Sequence, residues 1–244
     1  MPKLTRFLLF LCCAAFLLTL PSSAQVPSVN PGQEGSPVPV VIFDFNWGIA
    51  QPSHYAIAVE STGSAAYRSD EEKPSQEAQA DAYMIKFLVS EPTRDKIFEL
   101  VKESNFFNGD FEYTKTRVAQ TGVKTLTFLV GHLPNDFEHP VRGRKNQATY
   151  NWSQNPAIQQ LTQIFQSMSA TFELGRTLDF KRRFDKLALD SELKRAEEMQ
   201  NTGDLQQVQV IAPVLKNIAN DSTVMHIARQ RAKRILAKAE NAQQ

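Results

Sequence analysis

Period-two alternation fills the middle of this chain and then gives way to helical spacing, and that switch sets its fold class. Between Val40 and Trp152 short apolar runs read as strands, and from about Gly175 onward strand signals vanish. The pattern predicts an α+β architecture: a mostly antiparallel sheet with two packed helices over residues 40–172, followed by an all-helical C-terminal appendage over residues 173–240.

Val40 to Phe45 is apolar and β-branched, and His54 to Glu60 alternates with Tyr55, Ile57 and Val59 on one face. Gly63 makes a turn, Ser64 to Arg68 returns as a hairpin partner, and the polar run from Ser69 to Asp81 reads as a loop. Tyr83 to Val89 is a further strand. Ser90 as cap and Pro92 in the first turn then open a helix with Ile97, Leu100 and Val101 as its buried stripe, ending near Ser104 or Asn105. Phe106 and Phe107 are expected to anchor that end against the sheet. Asn108 and Gly109 turn the chain, Val123 to Val130 is the clearest strand, and Thr149 to Trp152 is its expected partner. Asn155 and Pro156 open a second helix carrying Ile158, Leu161, Ile164, Phe165 and Met168 at spacings of three and four.

Three helical stripes follow: Phe180, Phe184 and Leu187; then Leu205, Val208, Ile211, Ala212 and Leu215; then Val224, Ile227, Ala228, Ile235 and Ala239. The segments Asn201–Asp204 and Asn220–Ser222 supply the breaks between helices. Pro213 lies inside the second stripe, where a helix must kink or restart; the expectation is a kink.

Before the sheet, residues 1–24 read as a signal peptide: Lys3 and Arg6, the apolar run Phe7 to Leu20, then small residues ending at Ala24. The run of about 14 residues is shorter than the roughly 20 a spanning helix needs, so no permanent membrane anchor is expected. Residues 25–39, rich in proline, glycine and serine, read as a flexible linker. Both cysteines, Cys12 and Cys13, lie in the leader. Its removal therefore leaves a cysteine-free mature chain with no disulfide, thiol nucleophile or cysteine-ligated metal. Without Lys3 and Arg6 the 27 basic residues become 25 against 26 acidic, a formal charge of −1. That balance predicts no general capture of nucleic acid. The expected location is periplasmic or extracellular.

His132, Asp136 and His139 in the loop after the clearest strand carry zinc- and iron-ligating chemistry and form the candidate metal group. Against it, Pro134, Asn135, Asp136 and Pro140 are turn formers of an exposed loop that the histidines would decorate. His54 reads as a boundary histidine, and Asp44, interrupting the first strand, is sent to the solvent face by alternation. Neither a GxSxG elbow nor a phosphate-binding glycine loop is present. Trp47, Phe111, Tyr113 and Trp152 lie in or beside turns, where aromatics either stack on sugars and other small ligands or pack into the core. Arg229, Arg231, Lys233, Arg234 and Lys238 crowd the last helix as a solvated face or a contact for an acidic partner.

Trp47 and Gly48 through Pro52 to Tyr55 and Ile57, the helix ending in Asn105, Phe106 and Phe107, and the strand Thr125 to Val130 resemble a family of uncharacterised secreted bacterial domains of unknown function. Members open with Cys-x-Gly-x-Cys-Pro-x-Tyr; this chain has no cysteine there, and its spacings from Gly48 to Pro52 and from Pro52 to Tyr55 are each one residue longer. The resemblance covers residues 40–172 and implies a fold and an address only. The functional expectation is a noncatalytic protein-interaction module of the bacterial envelope that uses no cofactor, with an unidentified envelope protein as partner. A small-ligand or glycan binder is the alternative, and a metal-dependent enzyme using His132, Asp136 and His139 stands behind both.

Overall fold

The computed structural model describes residues 36–70, 83–133 and 145–241. Six strands form one sheet: β1 (Val38–Asn46), β2 (His54–Glu60), β3 (Ser64–Ser69), β4 (Tyr83–Leu88), β5 (Val123–Gly131) and β6 (Lys145–Tyr150). Their order is β4-β3-β2-β1-β5-β6, and every neighbouring pair is antiparallel. The chain is thus α+β with a helical C-terminal part.

Alternation sends Val41, Phe43 and Phe45 of β1, Tyr55, Ile57 and Val59 of β2, and Ala65 and Tyr67 of β3 to one face. Helices α1 (Glu91–Glu103) and α2 (Pro156–Phe184) cover that face through Ile97, Leu100, Val101, Ile158, Leu161, Phe165, Met168 and Phe172. The rings of Phe43 and Phe165 stack 5.2 Å apart between sheet and helix. Phe107 joins this core, while Phe106 lies partly exposed against Phe128, their rings 5.0 Å apart.

The second helix is longer than its sequence stripe suggests. It runs 29 residues, straight through the expected junction at 172/173. Asn155 starts it by accepting from the N–H groups of Ala157 (2.9 Å) and Ile158 (3.2 Å), with Pro156 in the first turn. Beyond Phe172 it leaves the sheet and packs Leu174 and Leu178 into a second core with α3 (Leu189–Thr202), α4 (Ala212–Asn220) and α5 (His226–Asn241). Phe180, Phe184 and Leu187 are therefore not a buried stripe: they are 58%, 70% and 77% exposed. The reason is phase, since Phe180 comes two residues after buried Leu178 and so lies on the far side of the helix.

Pro213 produces a restart rather than a kink. A 3₁₀ turn, Val208–Ile211, precedes α4, and Pro213 sits in the first turn of α4, where no hydrogen bond is lost. Ser90 occupies the cap position of α1 but makes no cap bond. Its N–H instead donates to Oε1 of Gln207 (2.8 Å), whose amide nitrogen donates to Ser90 Oγ and Thr93 Oγ1, both 3.0 Å away. Much of the cationic group on α5 is satisfied internally: Arg231 pairs with Asp190 (2.8 Å) and Glu197 (2.6 Å), and Arg234 with Glu197 (2.7 Å).

Candidate functional site

An antiparallel sheet brings alternate strand ends to the same edge. Here the ends of β1, β3 and β6 meet the starts of β2 and β5, and α2 crosses the core face beside them. Between α2, the start of β5 and the end of β6 lies a cavity of about 490 Å³ lined by Thr121, Lys124, Tyr150, Asn151, Trp152, Ser153, Gln159, Thr162, Gln163, Gln166, Ser167, Ala170, Met199 and Asp204. Its volume falls in the range of small-molecule sites.

Lys124 is the least expected of these residues. Register with Phe45 and Tyr150 puts it on the core face, 4% exposed. Its ammonium donates to the carbonyls of Thr121 (2.9 Å), Gly122 (2.9 Å) and Asn151 (2.8 Å) and contacts Thr121 Oγ1 at 2.9 Å. It also lies 5.7 Å from the centre of the Phe45 ring. Burial pulls its pKa down to about 8, opposed by the nearby charge of Glu112. Three N–H donors facing four oxygens leave none for chemistry. Lys124 is a clamp between the Thr121–Gly122 segment and the turn after β6.

Asn151 tightens the same knot. Its Oδ1 accepts from the N–H of Thr121 (2.8 Å), and its amide donates to the carbonyl of Ala119 (3.2 Å). Gly122 is required there: its φ is +86°, and a Cβ would lie 2.6 Å from Phe45 Cε2. The hydroxyls of Tyr150 and Thr162 are 2.7 Å apart, and burial holds the phenol well above its ordinary pKa.

Of the four aromatics singled out in the sequence, Trp152 lines the cavity and Tyr113 braces it. Their rings meet edge-on at 4.9 Å, and the N–H of Tyr113 donates to the carbonyl of Trp152 (2.9 Å). Trp47 and Phe111 sit at the same end of the sheet, half-buried against the sheet core. None of the four is fully buried. His132 follows β5 at the opposite end of the sheet from these aromatics. Asp136 and His139 lie outside the described residues, and among the described residues no three His, Cys, Asp or Glu side chains are grouped to hold a metal.

His54 and Asp44, taken separately in the sequence, belong together. His54 Nδ1 lies 2.7 Å from Asp70 Oδ2 and Nε2 lies 3.0 Å from Asp44 Oδ2. Hydrogen bonding to Asp44, helped by Asp70 and opposed by burial, raises its pKa to about 9. At neutral pH it is a cation with both nitrogens engaged. The pairing of Asn46 with His54 was the available signal, because it places Asp44 on the same face as a diagonal neighbour of the imidazole.

Beside the first cavity, and sharing Ala170 and Met199 with it, a second of about 680 Å³ is lined by Gln51, Pro52, Ser53, Asp70, Glu173, Leu174, Arg176, Thr177, Glu192 and Arg195. Glu173 accepts from Tyr67 Oη (2.7 Å) and Ser69 Oγ (2.6 Å), and Glu192 pairs with Lys181 (2.6 Å). Compared with known proteins, the chain matches no family model, no curated protein and no solved structure.

Proposed function

We propose that this chain is a noncatalytic binding protein, carried out of the cytoplasm by its leader, and that the cavity beside Trp152 receives a small, uncharged, hydroxyl-rich ligand of the saccharide class. One observation carries the reading. Around a half-buried indole, the lining offers the amides of Gln163 and Gln166, while its charged groups are engaged: Lys124 by carbonyls and Asp204 by the hydroxyl of Thr202. An apolar platform ringed by neutral donors and acceptors suits a sugar, whose C–H face stacks while its hydroxyls take paired hydrogen bonds.

The test is tryptophan emission in a Trp47→Phe background, leaving Trp152 as the reporter, titrated with neutral mono- and disaccharides. A saturable change that disappears in Trp152→Phe, measured there by calorimetry, supports the reading. Unchanged emission and no heat with every sugar overturn it.

A second reading, a protein-interaction module of the envelope, is favoured by Phe180 and Phe184, solvent-exposed with rings 4.9 Å apart beside Tyr83 and Ile85 of edge strand β4. Specific recovery of one envelope protein by the wild type and its loss with Phe184→Ser would support that reading.

A further inference from the structure

The saccharide reading has an extension along α2. Gln159, Gln163, Gln166, Ala170, Glu173 and Thr177 follow one another at spacings of three and four, so they form one stripe of the helix. The first cavity lies over the first part of the stripe and the second over the last part, joined at Ala170 and Met199. The eighteen steps from Gln159 to Thr177 span about 27 Å at 1.5 Å each, more than an isolated sugar occupies.

The two halves differ in charge. In the first, the free groups are amides and hydroxyls. In the second, Asp70 is held by His54 and Arg68, Glu192 by Lys181, and Glu173 by Tyr67 and Ser69 with Arg176 3.7 Å away. Arg195 differs from these groups: it lies exposed on α3, one turn before Met199, and among the described residues it has no ion pair or hydrogen bond. A guanidinium with an unfilled fork is a carboxylate receptor.

We infer that the ligand is an extended, carboxylate-bearing oligosaccharide lying along α2, with one neutral face on Trp152 and a carboxylate of a later unit on Arg195. The inference rests on the saccharide reading of the Trp152 cavity and adds length and charge to it.

Calorimetric titration of the full chain with galacturonic acid, its linear hexamer, the fully methyl-esterified hexamer and hexaglutamate tests it. The acidic hexamer is expected to bind at least about tenfold more tightly than the monomer or the esterified hexamer, the scale of one charge-assisted bond. Arg195→Gln should remove about that factor for the acidic hexamer and flatten its salt dependence, and Arg195→Lys should restore part of it. Circular dichroism of both variants checks folding, which an exposed site should not disturb. Equal affinity for monomer and hexamer overturns the extended ligand while leaving the saccharide cavity standing. Equal affinity for the acidic and esterified hexamers overturns the Arg195 contact, and preference for hexaglutamate overturns the glycan class in favour of an acidic peptide. Absence of binding to any saccharide overturns both readings together.

Discussion

Replacing Gly175 with alanine sets two opposed effects against each other, and the structure decides between them. Gly175 lies in the interior of α2, where alanine favours the helix by about 1 kcal/mol. A Cβ there would lie 2.4 Å from Ile211 Cγ2 and 3.1 Å from Ile211 Cβ. Ordinary carbon contacts begin near 3.5 Å, so the 3₁₀ turn that carries Ile211 must retreat by about 1 Å. Ile211 is buried in the second core with Leu174, Val208 and Leu215, and its branched side chain has little freedom to swing away. Overpacking of this kind costs about 1–3 kcal/mol, and a shifted turn places the cost near the upper end. Gly175→Ala should therefore be destabilised by about 1–2 kcal/mol in urea unfolding with an unchanged slope. Ile211→Ala removes Cγ2 and leaves only the 3.1 Å contact to Cβ, which a small shift relieves, so in that background the same substitution should stabilise by up to about 1 kcal/mol. A stabilised single variant, or a double variant without the reversal of sign, would refute the close approach of this turn to α2.

The His54 cluster gives a pH dependence with a definite sign. Its folded pKa of about 9 lies above the ordinary 6.5, so its contribution is complete below about 6.5 and is lost as pH rises through about 9. With the imidazole a third exposed, screening reduces that contribution to about 1–2 kcal/mol; unfolding free energies from pH 6 to 10 should show the loss in the wild type and not in His54→Gln. Lys124→Met strips the ammonium from the carbonyls of Thr121, Gly122 and Asn151 and should cost about 3 kcal/mol by denaturant titration; an unchanged midpoint would show that the clamp contributes nothing. Gln207→Ala removes the bonds to Ser90 and Thr93 and should cost about 1–2 kcal/mol, with faster amide exchange confined at first to the start of α1.

Features read directly from residue type are the ones with local causes. The Asn155–Pro156 start of α2 and the alternation of β1 and β2 depend on a few adjacent residues, and each lies where those residues place it. Ser90 illustrates the opposite case. Its residue type says cap, but Gln207, 117 positions away, accepts from its N–H and donates to its hydroxyl oxygen, and no local pattern encodes that partner. Phe180 and Phe184 mislead for a related reason: spacing defines a stripe without saying whether anything packs on it. Lys124 was hidden because a lysine in a strand reads as solvent-facing. Only the register with Phe45 and Tyr150 turns it inward, and only the turn at Asn151 provides oxygens to receive it.

The same register argument separates the aromatic turns from His132. β5 starts beside Lys124 and the Trp152 cavity and ends at Gly131, immediately before His132. Its nine residues hold those ends about 27 Å apart at strand rise. Any ion held through His132 would act far from a sugar stacked on Trp152, and a single site using both is excluded by the length of one strand. The aromatic turns, by contrast, share an edge because β1 and β6 both end there and β5 begins there, a consequence of antiparallel order alone. That edge is where Trp152, Tyr113, Trp47, Phe111 and the clamp at Lys124 gather. Recognition there, with α2 as the floor along which a longer ligand extends, is the reading these contacts support.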